Sequence, residues 1–143
     1  MQYEVTAEID APAERIWAII TDAPAYPEWD SGVEKVEGRI APGEKVKVFS
    51  EMNPGRGFPI RVTEFEPPAR MTWTGGMPLG LFKGVRTFAL TPGPNSSTHF
   101  EMRESFGGPL LPLVRRSMPD FGPSFEQYAA GLKELAETRS GRD

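Results

Sequence analysis

The chain has 143 residues, enough for one domain with a substantial core, since folding at this size buries about 68–70% of the unfolded chain's surface. Hydrophobic residues make up 38% and charged residues 25%, which excludes a wholly disordered chain, and a net charge of −4 without a basic cluster argues against nucleic acid as a partner. Cysteine is absent, which excludes disulfides, thiolate nucleophiles and cysteine metal sites.

The N-terminal segment predicts a strand followed by a short helix. Apolar residues alternate with polar ones at Tyr3, Val5, Ala7 and Ile9. This period of two is typical of a strand with one buried face. Asp10 then precedes Pro12, a pattern that predicts a capped helix start. A second helical turn is expected over residues 25–29.

Residues 33–106 predict six further strands joined by tight turns. Their apolar positions recur mostly at a period of two, at Val33, Val36, Val46, Val48, Ile60, Val62, Phe65, Met71 and Trp73. The last two strands, residues 85–90 and 98–106, form a hairpin that turns around residues 92–95. We expect antiparallel pairing throughout, because a parallel crossover needs a dozen or more residues.

The C-terminal region carries the strongest pattern in the chain. Apolar residues lie alternately three and four positions apart at Leu111, Val114, Met118, Phe121, Phe125, Tyr128, Leu132 and Leu135. This spacing forms one face of a helix. Pro119 and Pro123 interrupt it, so a kinked helix or two stacked helical pieces are both compatible with the pattern. The predicted fold class is α+β: a curved seven-stranded antiparallel sheet around a long C-terminal helix, in a single domain over residues 1–138 with a polar tail over 139–143.

Five short motifs are spread along nearly the whole chain: Ile9-Asp10-Ala11-Pro12 leading to Trp17, Tyr26-Pro27-Glu28-Trp29, Glu66-Pro67-Pro68, Trp73-x-Gly75 and Glu104-x-Phe106-x-Gly108. Together with the element order, they resemble the START-like superfamily, also called SRPBCC or the polyketide cyclase/dehydrase and lipid-transport group. The resemblance implies the Bet v 1-like helix-grip fold. It also implies a deep cavity between the sheet and the C-terminal helix, in which members of the superfamily usually bind hydrophobic ligands.

Arg86 and Glu104 form the pair of greatest chemical interest. In a hairpin that turns near residues 94–96, they stand opposite one another on the inward face of the sheet. A buried charge must be paired, and a guanidinium at the edge of an apolar cavity could also hold the carboxylate, phenolate or enolate of a ligand. The alternative interpretation is a structural salt bridge that closes the sheet.

The residues predicted to bind a ligand share the inward face of the sheet, the C-terminal helix and the loop over residues 75–84. They are Trp73, Phe82, Arg86, Phe88, Met102, Glu104, Phe121, Phe125 and Tyr128. Tyr128 could act in the pocket as a proton donor or hydrogen-bonding end group, and residues 75–84 could act as a lid. The aromatic residues could equally be ordinary core, and the loop an ordinary connection.

The preferred functional hypothesis is binding of a hydrophobic or aromatic small molecule, lipid-like or polyketide-like, in an internal cavity. One alternative is a polyketide cyclase or aromatase, in which Arg86, Glu104 or Tyr128 would assist enolisation and dehydration. Another is an interaction module with a filled interior. No catalytic residue is assigned, and whether the protein is an enzyme stays open.

No metal or cofactor is expected. His99 is the only histidine and has the outward parity of its strand, so neither a histidine metal site nor a Ser-His-Asp triad can be assembled. No glycine-rich nucleotide-binding motif is present. The N-terminus lacks a signal peptide and no apolar stretch reaches the length of a membrane span, so we expect a cytoplasmic protein without integral membrane contact, as a monomer or homodimer.

Overall fold

In the computed structural model, which describes residues 1–140 and the side chains of residues 1–138, seven strands form one antiparallel sheet. The strands are β1 Gln2–Ile9, β2 Val33–Glu37, β3 Lys45–Ser50, β4 Gly57–Glu66, β5 Arg70–Gly76, β6 Lys83–Pro92 and β7 Thr98–Gly107. Their order in the sheet is β1-β7-β6-β5-β4-β3-β2, so β1 and β2 are the two edges. The predicted seven-stranded antiparallel sheet is confirmed.

Two short helical segments connect the two edge strands. Helix α1 spans Ala13–Ile20 and is followed by a 3₁₀ turn over Ala23–Glu28. The predicted capping role of Asp10 is wrong, because Pro12 stands at the helix start and no side chain caps it. Instead, the backbone N–H of Asp10 donates to Glu137 Oε2 at 2.9 Å. This bond ties the end of β1 to the C-terminal helix.

The predicted C-terminal stripe is divided into separate helical pieces. Helix α2 covers Leu111–Val114, a 3₁₀ turn covers Arg115–Ser117, and helix α3 covers Gly122–Ser140. The break falls at Met118, whose backbone is extended (φ −78°, ψ 134°) because the proline that follows disfavours a helical conformation there. The last residues of the predicted polar tail, 141–143, lie outside the described residues.

Helix α3 and the inward face of the sheet bury each other. The buried residues of the helix are Phe125, Tyr128, Ala129, Leu132 and Ala136. The helix also comes very close to the chain that precedes β2: a β-carbon at Gly131 would overlap the carbonyl oxygen of Asp30. A glycine is therefore required at this contact.

The strand register arranges the inward side chains in levels across the sheet. At one level Arg86 pairs with Trp73 on one side and with Glu104 on the other. At the next level Phe88 pairs with Met71 and Met102. Every member of the second level is almost fully buried, whereas the charged pair of the first level is not. The interior therefore changes from fully buried to partly exposed between the level of Phe88 and the level of Arg86.

Candidate ligand-binding cavity

A cavity of about 520 Å³ opens between the sheet and the first half of α3. This volume lies within the range of small-molecule pockets, and the lining is mostly apolar. The structure therefore does not have the filled interior of the interaction-module alternative. Eight of the nine residues predicted to bind a ligand line the cavity: Trp73, Phe82, Arg86, Met102, Glu104, Phe121, Phe125 and Tyr128.

Phe88 is the ninth residue of the predicted set, and the structure places it behind the cavity wall. Its side chain is fully buried. Its ring centroid lies 4.7 Å from that of Trp73 and 5.9 Å from that of Tyr128. Phe88 thus packs behind two lining residues and does not itself line the cavity.

The ion pair between Arg86 and Glu104 has the predicted geometry. Nε and Nη2 of Arg86 both donate to Oε1 of Glu104, at 2.8 Å and 2.6 Å. The side chains are 23% and 15% exposed, and the guanidinium carbon lies 5.0 Å from the ring centroid of Phe125. Within residues 1–140, Oε2 of Glu104 accepts no hydrogen bond and Nη1 of Arg86 donates none. The pair therefore retains unused hydrogen-bonding positions, Oε2 of Glu104 as an acceptor and the N–H groups of Nη1 as donors, on two residues that line the cavity.

Tyr128, one of the residues that line the cavity, belongs to a chain of two hydrogen-bonded tyrosine hydroxyl groups. Tyr26 donates to the backbone oxygen of Ile20 at 2.7 Å, and its hydroxyl lies 2.7 Å from that of Tyr128. A carbonyl oxygen can only accept, so the Tyr26 proton is directed to Ile20 and Tyr128 must donate to Tyr26. The oxygen of Tyr128 can therefore only accept a hydrogen bond from a ligand.

Both tyrosines remain neutral in this setting. Burial raises the pKa of Tyr26 and of Tyr128 well above the ordinary value, because desolvation disfavours the charged phenolate. The geometry does not favour Tyr128 as a proton donor to a ligand, because its proton is already engaged. Tyr26 was not among the predicted site residues, and its only signal in the sequence is the Tyr-Pro-x-Trp motif.

The loop over residues 75–84 lies at the rim of the cavity. The ring of Phe82 stacks on Phe106, with centroids 5.9 Å apart, and Phe106 stacks on Phe121 at 5.7 Å. This aromatic row connects the loop to the start of α3. The backbone N–H of Leu110 also donates to the oxygen of Leu81 at 2.8 Å. A lid movement of this loop stays a prediction.

The far side of the cavity comes from strands that sequence reasoning did not assign to the site. The lining residues on this side are Ser31, Gly32, Val33, Val48, Ser50, Asn53, Arg56, Phe58, Pro59 and Ile60. Val48 and Ile60 share the inward parity of their strands, so they could have been found by extending the period of two. Asn53 and Arg56 lie in the β3–β4 turn, where no periodic pattern exists.

Neither a metal centre nor a membrane span stands out in the described part of the chain. Residues 1–140 contain no group of three or more histidine or acidic side chains arranged to hold a metal ion. None of the helices in these residues has the length and apolar character needed to cross a bilayer.

Comparison with known families finds a match along nearly the whole sequence. Residues 1–138 match the family described as polyketide cyclase/dehydrase and lipid transport. Among curated proteins, none matches the chain.

Many solved structures share the fold. A protein from Mesorhizobium loti is 20% identical with a TM-score of 0.73, over 96% of this chain and 98% of that one. A START superfamily protein from Mycobacterium smegmatis is 19% identical with a TM-score of 0.68, over 96% and 98%. A point mutant of norcoclaurine synthase from Thalictrum flavum, in complex with a transition-state analogue, is 16% identical with a TM-score of 0.71, over 98% and 96%. At these identities the likeness establishes the helix-grip fold alone.

Proposed function

Since the chain belongs to the polyketide cyclase/dehydrase and lipid transport family, we propose that it binds a largely apolar small molecule in the cavity between the sheet and α3. The observation that carries the proposal is the combination of a mostly apolar cavity of about 520 Å³ with one ion pair that has unused hydrogen-bonding positions. An apolar lining with a few convergent polar groups is the usual composition of a small-molecule site.

The polar groups specify the kind of ligand. Arg86 offers a donor, whereas Glu104 Oε2 and the oxygen of Tyr128 offer acceptors. A ligand that fits carries a hydrogen-bond acceptor and a hydroxyl donor close together, as in a hydroxy-ketone, an enol or a hydroxylated aromatic ring. A simple fatty acid fits less well, because its carboxylate would meet the negative charge of Glu104 as well as Arg86.

Binding has more support than catalysis in this cavity. A cyclase needs side chains that can take up and return a proton during enolisation. The Tyr128 proton is engaged by Tyr26, and the guanidinium of Arg86 stays charged. Glu104 is the acidic residue of the lining, and one of its oxygens is held by Arg86. We therefore propose the positioning of an apolar guest as the function.

The experiment is a titration of the purified protein with two ligands of the same skeleton, followed by calorimetry and by tryptophan fluorescence, to which Trp73 in the cavity lining contributes. Chrysin has a carbonyl and two hydroxyl groups, one of which is free to donate to the protein, whereas flavone has the carbonyl alone. We expect one chrysin to bind per chain and flavone to bind more weakly, because flavone leaves the acceptors unpaired. Absence of binding for both ligands and for added fatty acids, with a bare mass in native mass spectrometry, would contradict the proposal.

A matched pair of arginine variants tests the polar contacts. Arg86→Met should weaken chrysin binding by about tenfold or more, since hydrogen bonds to charged groups contribute roughly 1.5–3 kcal/mol. Arg103→Met is the control, because Arg103 pairs with Glu4 at 2.9 Å and Glu101 at 3.2 Å and does not line the cavity. Equal effects of the two substitutions on affinity would show that Arg86 acts only through the stability of the sheet.

A further inference from the structure

Apolar side chains protrude from the segments that surround the cavity mouth. Six large hydrophobic residues in these segments are exposed: Met52, Phe58, Met77, Leu79, Leu81 and Leu113. Leu79 is 96% exposed and Leu113 is 66% exposed. Single exposed leucines are common, but several around one opening mark an interaction surface. We call the segments over residues 52–59, 77–84 and 108–119 the mouth segments.

The three mouth segments belong to one rim, because each contributes lining residues to the same cavity. Phe58 comes from the first, Met77 from the second and Val114 from the third. The second and third also touch directly. A β-carbon at Gly108 would lie 2.6 Å from the oxygen of Leu81, so only a glycine allows the two backbones to approach this closely.

At the tip of the second mouth segment, Leu79 has an unfavourable backbone conformation, and its side chain gains no burial in the protein interior that would compensate for it. Leu79 has φ +60° and ψ 20°, in the left-handed region that bulky residues rarely adopt. Its side chain nevertheless points away from the core and is almost wholly exposed. A strained, exposed leucine next to a cavity mouth is therefore better explained by an external contact than by folding.

Charge around the mouth differs from charge elsewhere in the chain. The mouth segments contain Arg56, Lys83, Arg115 and Arg116, all exposed, and no acidic residue, while the exposed Glu51 and Asp120 directly flank the first and third segments and leave the basic residues in excess. The whole chain has 16 basic and 20 acidic residues, so the rest of it holds 12 basic and 20 acidic. The rim is thus apolar and basic, whereas the rest of the protein is acidic. Such a rim is complementary to a membrane surface, in which negative headgroups cover an apolar layer.

We propose that the mouth segments dock on the surface of an anionic lipid bilayer, with the cavity mouth facing the lipid. The leucines at the loop tips enter the boundary between headgroups and acyl chains, and the four basic side chains contact lipid phosphates. A hydrophobic guest then passes between membrane and cavity without crossing water. Convex tips such as Leu79 suit a deformable bilayer better than a protein partner, which would need a matching pocket for each. The docking surface does not require that the cavity be occupied.

Flotation with lipid vesicles tests the proposal on the full chain without added ligand. Vesicles of phosphatidylcholine and phosphatidylglycerol in equal parts should carry the protein upward, and vesicles of phosphatidylcholine alone should carry much less. Added salt should weaken the binding to the anionic vesicles. Equal binding to both vesicle types, or none to either, would overturn the proposal.

Two variants and one control identify the surface. Leu79→Ser combined with Leu113→Ser should lower vesicle binding by about tenfold, since both side chains lose their apolar contact. Arg115→Gln combined with Arg116→Gln should lower it by roughly fivefold for each charge. The control is Arg39→Gln combined with Lys45→Gln, two exposed basic residues outside the mouth segments, which should bind like the wild type. An equal loss in the control would show only non-specific attraction.

Two further results separate this proposal from its competitors. A wild-type dimer in sedimentation velocity that the leucine variant converts to a monomer would assign the rim to self-association and overturn the membrane proposal. Loss of vesicle binding with chrysin affinity unchanged is the expected pattern for the variants. Failure of flotation alongside normal chrysin binding would reject docking and leave the proposed ligand-binding function standing.

Discussion

The interior of the protein has a closed half and an open half, built from the same sheet and the same helix. In the closed half, Leu90, Phe100 and Leu132 are almost fully buried where sheet and helix pack together. In the open half, Arg86 and Glu104 face a cavity of about 520 Å³. One continuous fold can thus concentrate its packing at one end and keep a site at the other, because the packed end supplies the stability that the empty end lacks.

The attachment of α3 follows the same division. Near its C-terminal end, Lys133 Nζ donates to the backbone oxygen of Glu8 and to Glu137, both at 2.6 Å. Near its beginning, the rings of Phe121, directly before the helix, and of Phe125 pack on Tyr3 of the sheet. Tyr128 lies at the border: its ring stacks on Phe100 of the closed half, while its residue also lines the cavity.

The largest expected effect is in the closed half. Leu132→Ala should lower the free energy of unfolding by about 2–5 kcal/mol, because the side chain is fully buried and leaves a void. Phe121→Ala, in the open half, should cost less stability but weaken chrysin binding, since part of its ring already faces the cavity. Urea denaturation and ligand titration measure the two quantities. A loss of chrysin affinity in folded Leu132→Ala, with none in Phe121→Ala, would contradict the division.

Alkaline pH should lower the contribution to stability of Tyr26 and Tyr128, which lie at the border between the two halves. The raised pKa values of Tyr26 and Tyr128 keep both protonated in the folded state when the unfolded chain has begun to lose these protons near pH 10. Their contribution to stability is therefore complete below about pH 10 and falls as pH rises, by at most about 1.4 kcal/mol per pH unit for each tyrosine. Urea denaturation of Tyr128→Phe should show a shallower fall; an unchanged slope would contradict the assignment.

Tyr26→Phe should affect both halves moderately. It removes the donor to Ile20 and the acceptor for Tyr128, at a cost of about 1–3 kcal/mol in unfolding free energy. The freed proton of Tyr128 can then turn toward the cavity, so the preference for chrysin over flavone should shrink. Tyr3→Phe is the control, because within the described residues the Tyr3 hydroxyl makes no hydrogen bond. An unchanged ligand preference in Tyr26→Phe would show that Tyr128 does not contact the ligand.

The smallest expected effect is at the attachment of α3. The ammonium group of Lys133 and the backbone N–H of Asp10 lower the pKa of Glu137. Its contribution to stability is thus present above the ordinary carboxyl pKa and is lost as pH falls through the lowered value. Glu137→Gln should reduce the loss of unfolding free energy on acidification by less than about 1 kcal/mol, because the pair is partly exposed. Glu134→Gln, exposed on the same helix, should not, and chrysin affinity should be unchanged in both.

Much of the candidate site could be predicted because local patterns determine it. The turn near residue 95 and the strand period place Arg86 opposite Glu104. Once the hairpin forms, its register determines that Glu104 is the residue of β7 that faces Arg86. The residues from the β3–β4 turn, such as Arg56, could not be predicted, because a turn has no periodicity to extend. The sequence leaves open whether the helix is kinked or divided before α3, since two prolines disturb a helix without revealing where the chain becomes extended.

The amino-acid sequence by itself determined the seven strands, their antiparallel pairing, the C-terminal helix and the inward ion pair, because period and turn length act between near neighbours along the chain. Only the tertiary structure decided that the helix fills one half of the interior and leaves the other empty. It also decided that Tyr26 receives the proton of Tyr128, 102 residues away. An unfilled volume and a bond between distant segments depend on how whole elements approach one another, and no local pattern in the sequence specifies that approach.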